Sequence, residues 1–116
     1  LVKPHNYKPD YTDKEVECIC GADMFMPKIA IEESGTFDEN IFLYGEEGEL
    51  QYRMMKKGYK RMIITSPKII HLEGESSSNT ARSIYGMQSH FYILKKYMDP
   101  ITYRLAKFYY KIRMSE

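Results

Sequence analysis

The sequence predicts an α+β domain, or part of an α/β domain, with short strands, packed helices and a helical C-terminal tail. Three observations support this prediction. Residues 15–26 alternate in part between apolar and polar, and residues 60–65 and 68–72 form two short apolar runs, as strands do. An acid-rich segment from Glu46 to Gly58 has helical spacing. From Thr80 onward, apolar residues recur every three or four positions, as in amphipathic helices.

Length and charge limit what the chain can do. Its 116 residues are enough for one domain, but few for a complete enzyme that holds two substrates. The net charge of +1 gives no overall field that would attract nucleic acid. No apolar run reaches the roughly 20 residues of a membrane-spanning helix. Because the chain begins without methionine, we expect a piece of a longer protein; trimming of a full-length protein is the alternative.

Residues 15–26 are predicted to form a strand that carries two cysteines on one face. Cys18 and Cys20 are separated by one residue, which is too close for the usual zinc knuckle. Free cysteine is most often a small apolar side chain in the core. We therefore expect both thiols to be reduced and buried.

The same strand ends in residues with little bulk. Gly21 and Ala22 have little or no side chain to pack within a strand. Such residues indicate close approach by a ligand or by another backbone. Asp23 could then touch the ligand, or it could be a surface residue at a bulge. Downstream, Pro27 is expected at the first position of a short helix over residues 28–34.

The acidic segment has two interpretations. Its helix signals are apolar residues four apart, opposite charges four apart and a terminal glycine: Leu50 and Met54, Glu49 and Arg53, and Gly58. Glu46, Glu47 and Glu49 then fall in the first turn, where the helix dipole stabilises each by about 0.3–1 kcal/mol. Alternatively, a cleft lined by Phe42 and Tyr44 desolvates one carboxyl and raises its pKa towards that of a general base.

The C-terminal part carries two apolar stripes separated by Asp99 and Pro100. They comprise Ile84, Met87, Phe91, Leu94 and Met98, then Ile101, Leu105, Phe108 and Ile112. We favour packing of the second stripe on the domain or on a missing neighbour. Its flanking cations and tyrosines also suit an anionic bilayer surface, and exposure by excision could pair two copies into a homodimer.

Five motifs, in order, resemble the C-terminal half of the family 2 glycosyltransferases, which are inverting enzymes of the GT-A class that build bacterial polysaccharides. The motifs are CGADMFMPK at residues 20–28, IEESGTFDE at 31–39, FLYGEEGELQYR at 42–53, KKGY at 56–59 and PKIIHLEGES at 67–76. Together they span about residues 16–77. The resemblance implies a catalytic-domain portion over residues 1–78 and a helical tail over 79–116.

The resemblance also implies roles for individual residues. Glu47 is the expected general base that deprotonates an acceptor hydroxyl, with Glu46 as the alternative, because the family more often has aspartate there. Glu49 and Arg53 are expected to orient the helix. The implied substrate-binding residues are Gly21, Ala22, Asp23 and Tyr44, and His71 is the implied metal contact.

By resemblance, the parent protein transfers a sugar from a nucleotide-sugar donor to a glycan or lipid-linked acceptor. A divalent cation, Mn or Mg, would stabilise the leaving diphosphate. The expected location is cytoplasmic, with peripheral contact to the inner membrane as an open possibility. No Asp-x-Asp motif and no Gly-rich phosphate loop occur in the sequence, so we expect this chain alone to be inactive. The alternative is a non-catalytic module that attaches to a partner protein or membrane through its C-terminal helices.

Overall fold

A computed structural model describes residues 12–65 and 79–113 of the chain. These residues form two short strands and four helices: β1 (Lys14–Glu15), α1 (Lys28–Ser34), α2 (Glu46–Lys56), β2 (Met62–Ile63), α3 (Asn79–Tyr97) and α4 (Pro100–Arg113). The strands pair antiparallel, with Lys14 opposite Ile63 and Glu15 opposite Met62. The α+β prediction is confirmed in this general form.

The long strand predicted over residues 15–26 is wrong, because the ladder ends after Glu15. Beyond it, the backbone N–H of Val16 still donates to the Arg61 carbonyl at 2.9 Å. At Ile19, the side-chain amide of Gln51 takes over: it accepts from the Ile19 N–H and donates to the Ile19 carbonyl, both at 2.7 Å. A buried amide thus satisfies the backbone as a neighbouring strand would.

Two further strand-related expectations have different outcomes. Of the apolar run at residues 60–65, only Met62–Ile63 is paired, and the strand predicted at residues 68–72 lies outside the described residues.

Cys18 and Cys20 are free but exposed, so the expectation of buried thiols is wrong. With no strand at this point, the alternation that would have turned both cysteines inward does not exist.

The small core lies between α1 and α2. It consists of Ala30 from α1 and of Leu50 and Met54 from α2, all buried, with Met26, Ile31 and Tyr59 packed around them. Leu50 is completely enclosed, and burying such a side chain contributes about 1.5–3 kcal/mol. The predicted apolar face of the acidic helix is confirmed.

The residues at the ends of α1 and α2 are those that the sequence predicted, with one difference. Gly35 and Gly58 follow α1 and α2 with positive φ of 79° and 91°, as C-terminal glycines do. Pro27, however, is the residue before α1 and not its first residue, because its ψ of 139° is extended.

The N-terminus of α2 requires a glycine for two reasons. Gly45 has a φ of 99°, and a Cβ atom there would lie 3.0 Å from Cδ1 of Ile93 on α3. Its predecessor, Tyr44, also has a positive φ of 66°, which costs free energy in any residue with a side chain. The turn into α2 is therefore tight and is held against α3.

Helix α3 is fixed to this turn by several side chains. Ser89 is buried and its hydroxyl donates to the Leu43 carbonyl at 2.8 Å. The ring centroids of Phe42 and Tyr85 lie 5.0 Å apart.

The domain boundary expected after residue 78 stays a prediction. In the part of the chain that the structure describes, no helix combines the length and apolar character needed to cross a membrane.

Two glycine substitutions test this description of the α2 N-terminus. Gly45→Ala should lower the free energy of unfolding by about 1–3 kcal/mol, because alanine is strained at this φ and meets Ile93. Gly48→Ala should instead raise it by about 0.5–1 kcal/mol, since Gly48 is inside the helix and a Cβ there has open space. Denaturant unfolding of both variants gives the comparison, and equal effects would contradict the account.

Candidate functional site

A buried carboxylate is at the centre of the region around α2. The Glu49 side chain is 0% exposed, yet its carboxyl group is ionised. Arg53 donates to it from Nε at 3.0 Å and from Nη2 at 2.8 Å. Lys96 donates from Nζ at 2.7 Å, and the Tyr97 hydroxyl donates to the same Oε1 atom. These donors satisfy the carboxylate, as a buried charge requires.

The donors to Glu49 connect α2 with three other segments. Lys96 also donates to Asp38 at 2.6 Å, and the Tyr92 hydroxyl donates to the same Asp38 oxygen at 2.9 Å. Arg53 donates to the carbonyl of Ser34, the last residue of α1, and to that of Thr36 just beyond it. The network therefore holds the end of α1, the loop before α2 and the last turns of α3 around one carboxylate.

The pKa shifts follow from these contacts. Burial alone would raise the pKa of Glu49, but the hydrogen bonds from Arg53, Lys96 and Tyr97 outweigh it and leave that pKa lowered. The hydrogen bond from Lys96 holds the pKa of Asp38 well below its usual range. Burial opposes the charge on Lys96, but its two carboxylate partners raise its pKa overall.

Glu46 and Glu47 have the opposite environment at the start of α2. One oxygen of each carboxyl, Oε2, is buried and has no hydrogen-bond partner among the described residues. Burial raises the pKa of Glu46; backbone N–H groups of Glu46 and Tyr44 oppose this rise, and the adjacent Glu47 carboxylate adds to it. Desolvation and a neighbouring like charge are the usual means of making a carboxyl a stronger base.

Gly21 lies directly against this pair. A Cβ at Gly21 would come within 3.3 Å of the Glu47 Cβ and 3.5 Å of its Cδ. The close approach expected at this glycine is therefore explained by the Glu47 side chain, without a ligand. The Gln51 amide holds the segment in place through Ile19, two residues before Gly21.

The other predicted site residues are not all brought together. Tyr44 lies two residues before Glu46, in the turn that starts α2. Ala22 and Asp23 are exposed, and Asp23 lines a separate cleft of about 550 Å³ with Lys60 and several apolar side chains. His71 lies outside the described residues. Substrate binding by these residues stays a prediction.

Three residues that organise the site were missed in the sequence analysis: Gln51, Lys96 and Asp38. Gln51 is a polar residue next to the apolar Leu50, and nothing in the local sequence indicated that the Gln51 side chain would be buried. Lys96 is one of several cations in the C-terminal part of the sequence. Its partner Glu49 lies 47 residues earlier in the chain, so no local pattern indicates the pair.

The described residues do not provide a metal site. Within residues 12–65 and 79–113, no three His, Cys, Asp or Glu side chains come together in a way that could hold a metal ion. The divalent cation that the resemblance implies stays a prediction. His71, its expected contact, is not among the described residues.

Comparison with known proteins adds no family assignment. No protein-family model, curated protein or solved structure matches the chain.

The Glu49 network predicts a stability effect that depends on pH. Glu49→Gln should lower the free energy of unfolding by about 3 kcal/mol at neutral pH, because Arg53 and Lys96 lose their buried counter-charge. The control Glu32→Gln breaks an exposed pair with Lys28 and should cost about 0.5 kcal/mol or less.

The sign of the pH dependence follows from the lowered pKa of Glu49. A carboxylate with a lowered folded-state pKa stabilises the fold above its ordinary value of 4.5 and loses this effect as pH falls through the lowered pKa. The difference between wild type and Glu49→Gln should therefore shrink below about pH 4.5. A difference that stays constant down to acid unfolding would contradict the network.

Carboxyl chemical shifts followed by NMR against pH test the Glu46 and Glu47 pair. Glu46 should titrate above its ordinary value of 4.5. Glu47→Gln should lower this pKa, because the neighbouring charge is removed. Glu32→Gln, on the exposed side of α1, should leave it unchanged. An ordinary Glu46 pKa in the wild type would show that the pair is solvated.

Proposed function

We propose that this chain is the acceptor-side part of an inverting glycosyltransferase and carries the general base on the first turn of α2. The observation that carries the proposal is the pair of carboxyls at Glu46 and Glu47, each with a buried oxygen that has no hydrogen-bond partner among the described residues. An orphaned buried acceptor is costly, and a substrate hydroxyl is a donor that would satisfy it.

The proposed reaction is an in-line displacement. The acceptor O–H transfers its proton to a carboxylate oxygen of Glu47, and the acceptor oxygen forms a new bond to the anomeric carbon of the sugar. The bond from that carbon to the diphosphate breaks, the diphosphate leaves with the electron pair, and configuration inverts. A base for this step must lie within about 3 Å of the hydroxyl oxygen.

The environments of the two carboxyls favour Glu47 as the base and Glu46 as its neighbour. The raised pKa of Glu46 favours its protonated form, and hydrogen bonding to the Glu47 side chain contributes to that rise. The negative charge that accepts the proton is therefore assigned to Glu47 in this proposal. Contact with Gly21 and the rigid α2 behind it would fix the Glu47 side chain.

The remaining parts of the reaction are assigned outside the described residues. Binding of the nucleotide-sugar donor and stabilisation of the leaving diphosphate belong, in this proposal, to other parts of the longer protein. We expect the chain alone to be inactive. The proposed acceptor is a glycan or a lipid-linked saccharide, and the proposed location is cytoplasmic, at a bacterial inner membrane.

The test is sugar transfer by the longer protein that contains this chain, assayed with uridine, guanosine and thymidine diphosphate sugars. Glu47→Gln should lower turnover by about 10²-fold or more and leave donor binding nearly intact, because the base acts on the acceptor. Glu32→Gln is the matched control and should leave turnover unchanged. Unchanged turnover in Glu47→Gln, or no transfer from any of these donors, would contradict the proposal.

A second candidate function is attachment to a membrane or partner through the C-terminal helices. It is favoured by a specific observation: the apolar stripe of α4 is exposed, and no residue of α4 is buried. Packing of this stripe on the described part of the domain is therefore wrong, and packing on a missing neighbour stays a prediction. This function does not require the carboxyl pair and is compatible with sugar transfer.

A further inference from the structure

We propose that α4 lies flat on an anionic membrane, with its apolar stripe among the acyl chains and lipid phosphates held by Arg104, Lys107 and Lys111. The proposal deepens the second candidate function by naming its partner. It uses neither Glu46 nor Glu47, so it is independent of sugar transfer.

The apolar stripe of α4 is continuous and faces outward. Four side chains at spacings of four, three and four are exposed to unusual extents for their type: Ile101 by 72%, Leu105 by 65%, Phe108 by 63% and Ile112 by 48%. On a helix this spacing places them along one line. A contiguous exposed apolar surface of this kind marks an interaction site.

The opposite side of α4 is held by α3, which fixes the direction of the stripe. Tyr103 and Ala106 are half-buried, and the Tyr110 ring packs edge-to-face on His90 and Phe91, with centroids 5.1 and 5.5 Å away. The stripe is therefore presented by a helix whose other face is already anchored on the chain.

The charge of α4 selects an anionic partner. The helix carries four cations and no carboxylate within Pro100–Arg113, although the whole chain has a net charge of only +1. Arg104, Lys107 and Lys111 recur at spacings of three and four, so they follow one edge of the stripe. Long cationic side chains at that position keep their stems on the apolar layer and their charges at the headgroups.

The same charges oppose pairing with a second copy. In a two-fold dimer with antiparallel α4 helices, the basic edge of one stripe would lie beside the basic edge of the other. Like charges at an interface reduce affinity, whereas the surface of an anionic bilayer attracts each of them.

A groove between α3 and α4 provides a place for one lipid. It has a volume of about 410 Å³ and is lined by the rings of Phe91, Phe108 and Tyr110 and by Arg104, Lys107 and Lys111. An apolar floor bordered by cations suits the upper part of an acyl chain together with its phosphodiester. The groove opens beside the stripe, because Phe108 belongs to both.

Vesicle co-sedimentation of the chain tests this proposal, with phosphatidylcholine vesicles and with vesicles that contain phosphatidylglycerol. Binding should require phosphatidylglycerol and weaken as salt rises. The triple variant Arg104→Gln, Lys107→Gln, Lys111→Gln should bind about 100-fold more weakly. The control Lys28→Gln, Lys57→Gln, Lys60→Gln removes the same charge from exposed positions elsewhere and should bind almost as wild type.

A second variant tests the apolar contribution. Leu105→Ser with Phe108→Ser changes only exposed side chains and should also lose binding, while circular dichroism shows the fold retained. Equal binding to neutral vesicles, equal loss in the control, or no loss in the serine variant would overturn the proposal. So would a dimer that the serine variant abolishes in the absence of any vesicle binding. Glu47→Gln should bind vesicles normally, which separates this test from that of sugar transfer.

Discussion

The arrangement of this protein depends on one fully buried carboxylate. Glu49 is held in ionised form by Arg53, Lys96 and Tyr97, and these donors come from two helices. A buried charge is stable only when its hydrogen-bonding capacity is filled. The segments that contribute donors must therefore stay together, and the apolar core of Ala30, Leu50 and Met54 is small by comparison.

This constraint also creates the contrast within the first turn of α2. Glu49 points into the donors, whereas Glu46 and Glu47 each keep one buried oxygen that no described residue satisfies. The same helix start thus holds one carboxylate at low pKa and raises the pKa of another. Different environments for neighbouring acids are what acid–base chemistry requires, and a rigid helix fixes where they are.

Local patterns predicted the parts of the structure that local physics determines. Helical spacing predicted α2 with its Glu49 and Arg53 pair, and Gly58 marked its end. The strand expected at residues 15–26 failed because Gln51, more than 30 residues away, takes the backbone bonds of Ile19. The partners of Glu49 on α3 were missed for the same reason, since long-range pairing leaves no period in the sequence.

The most direct test of the central claim compares kcat/KM for the proposed sugar transfer between Glu46→Gln and Glu47→Gln, both made in a longer protein that contains this chain. The account predicts the larger loss in Glu47→Gln, because Glu47 takes the proton of the acceptor hydroxyl and Glu46 is its neighbour. An equal or larger loss in Glu46→Gln would contradict this assignment of the base.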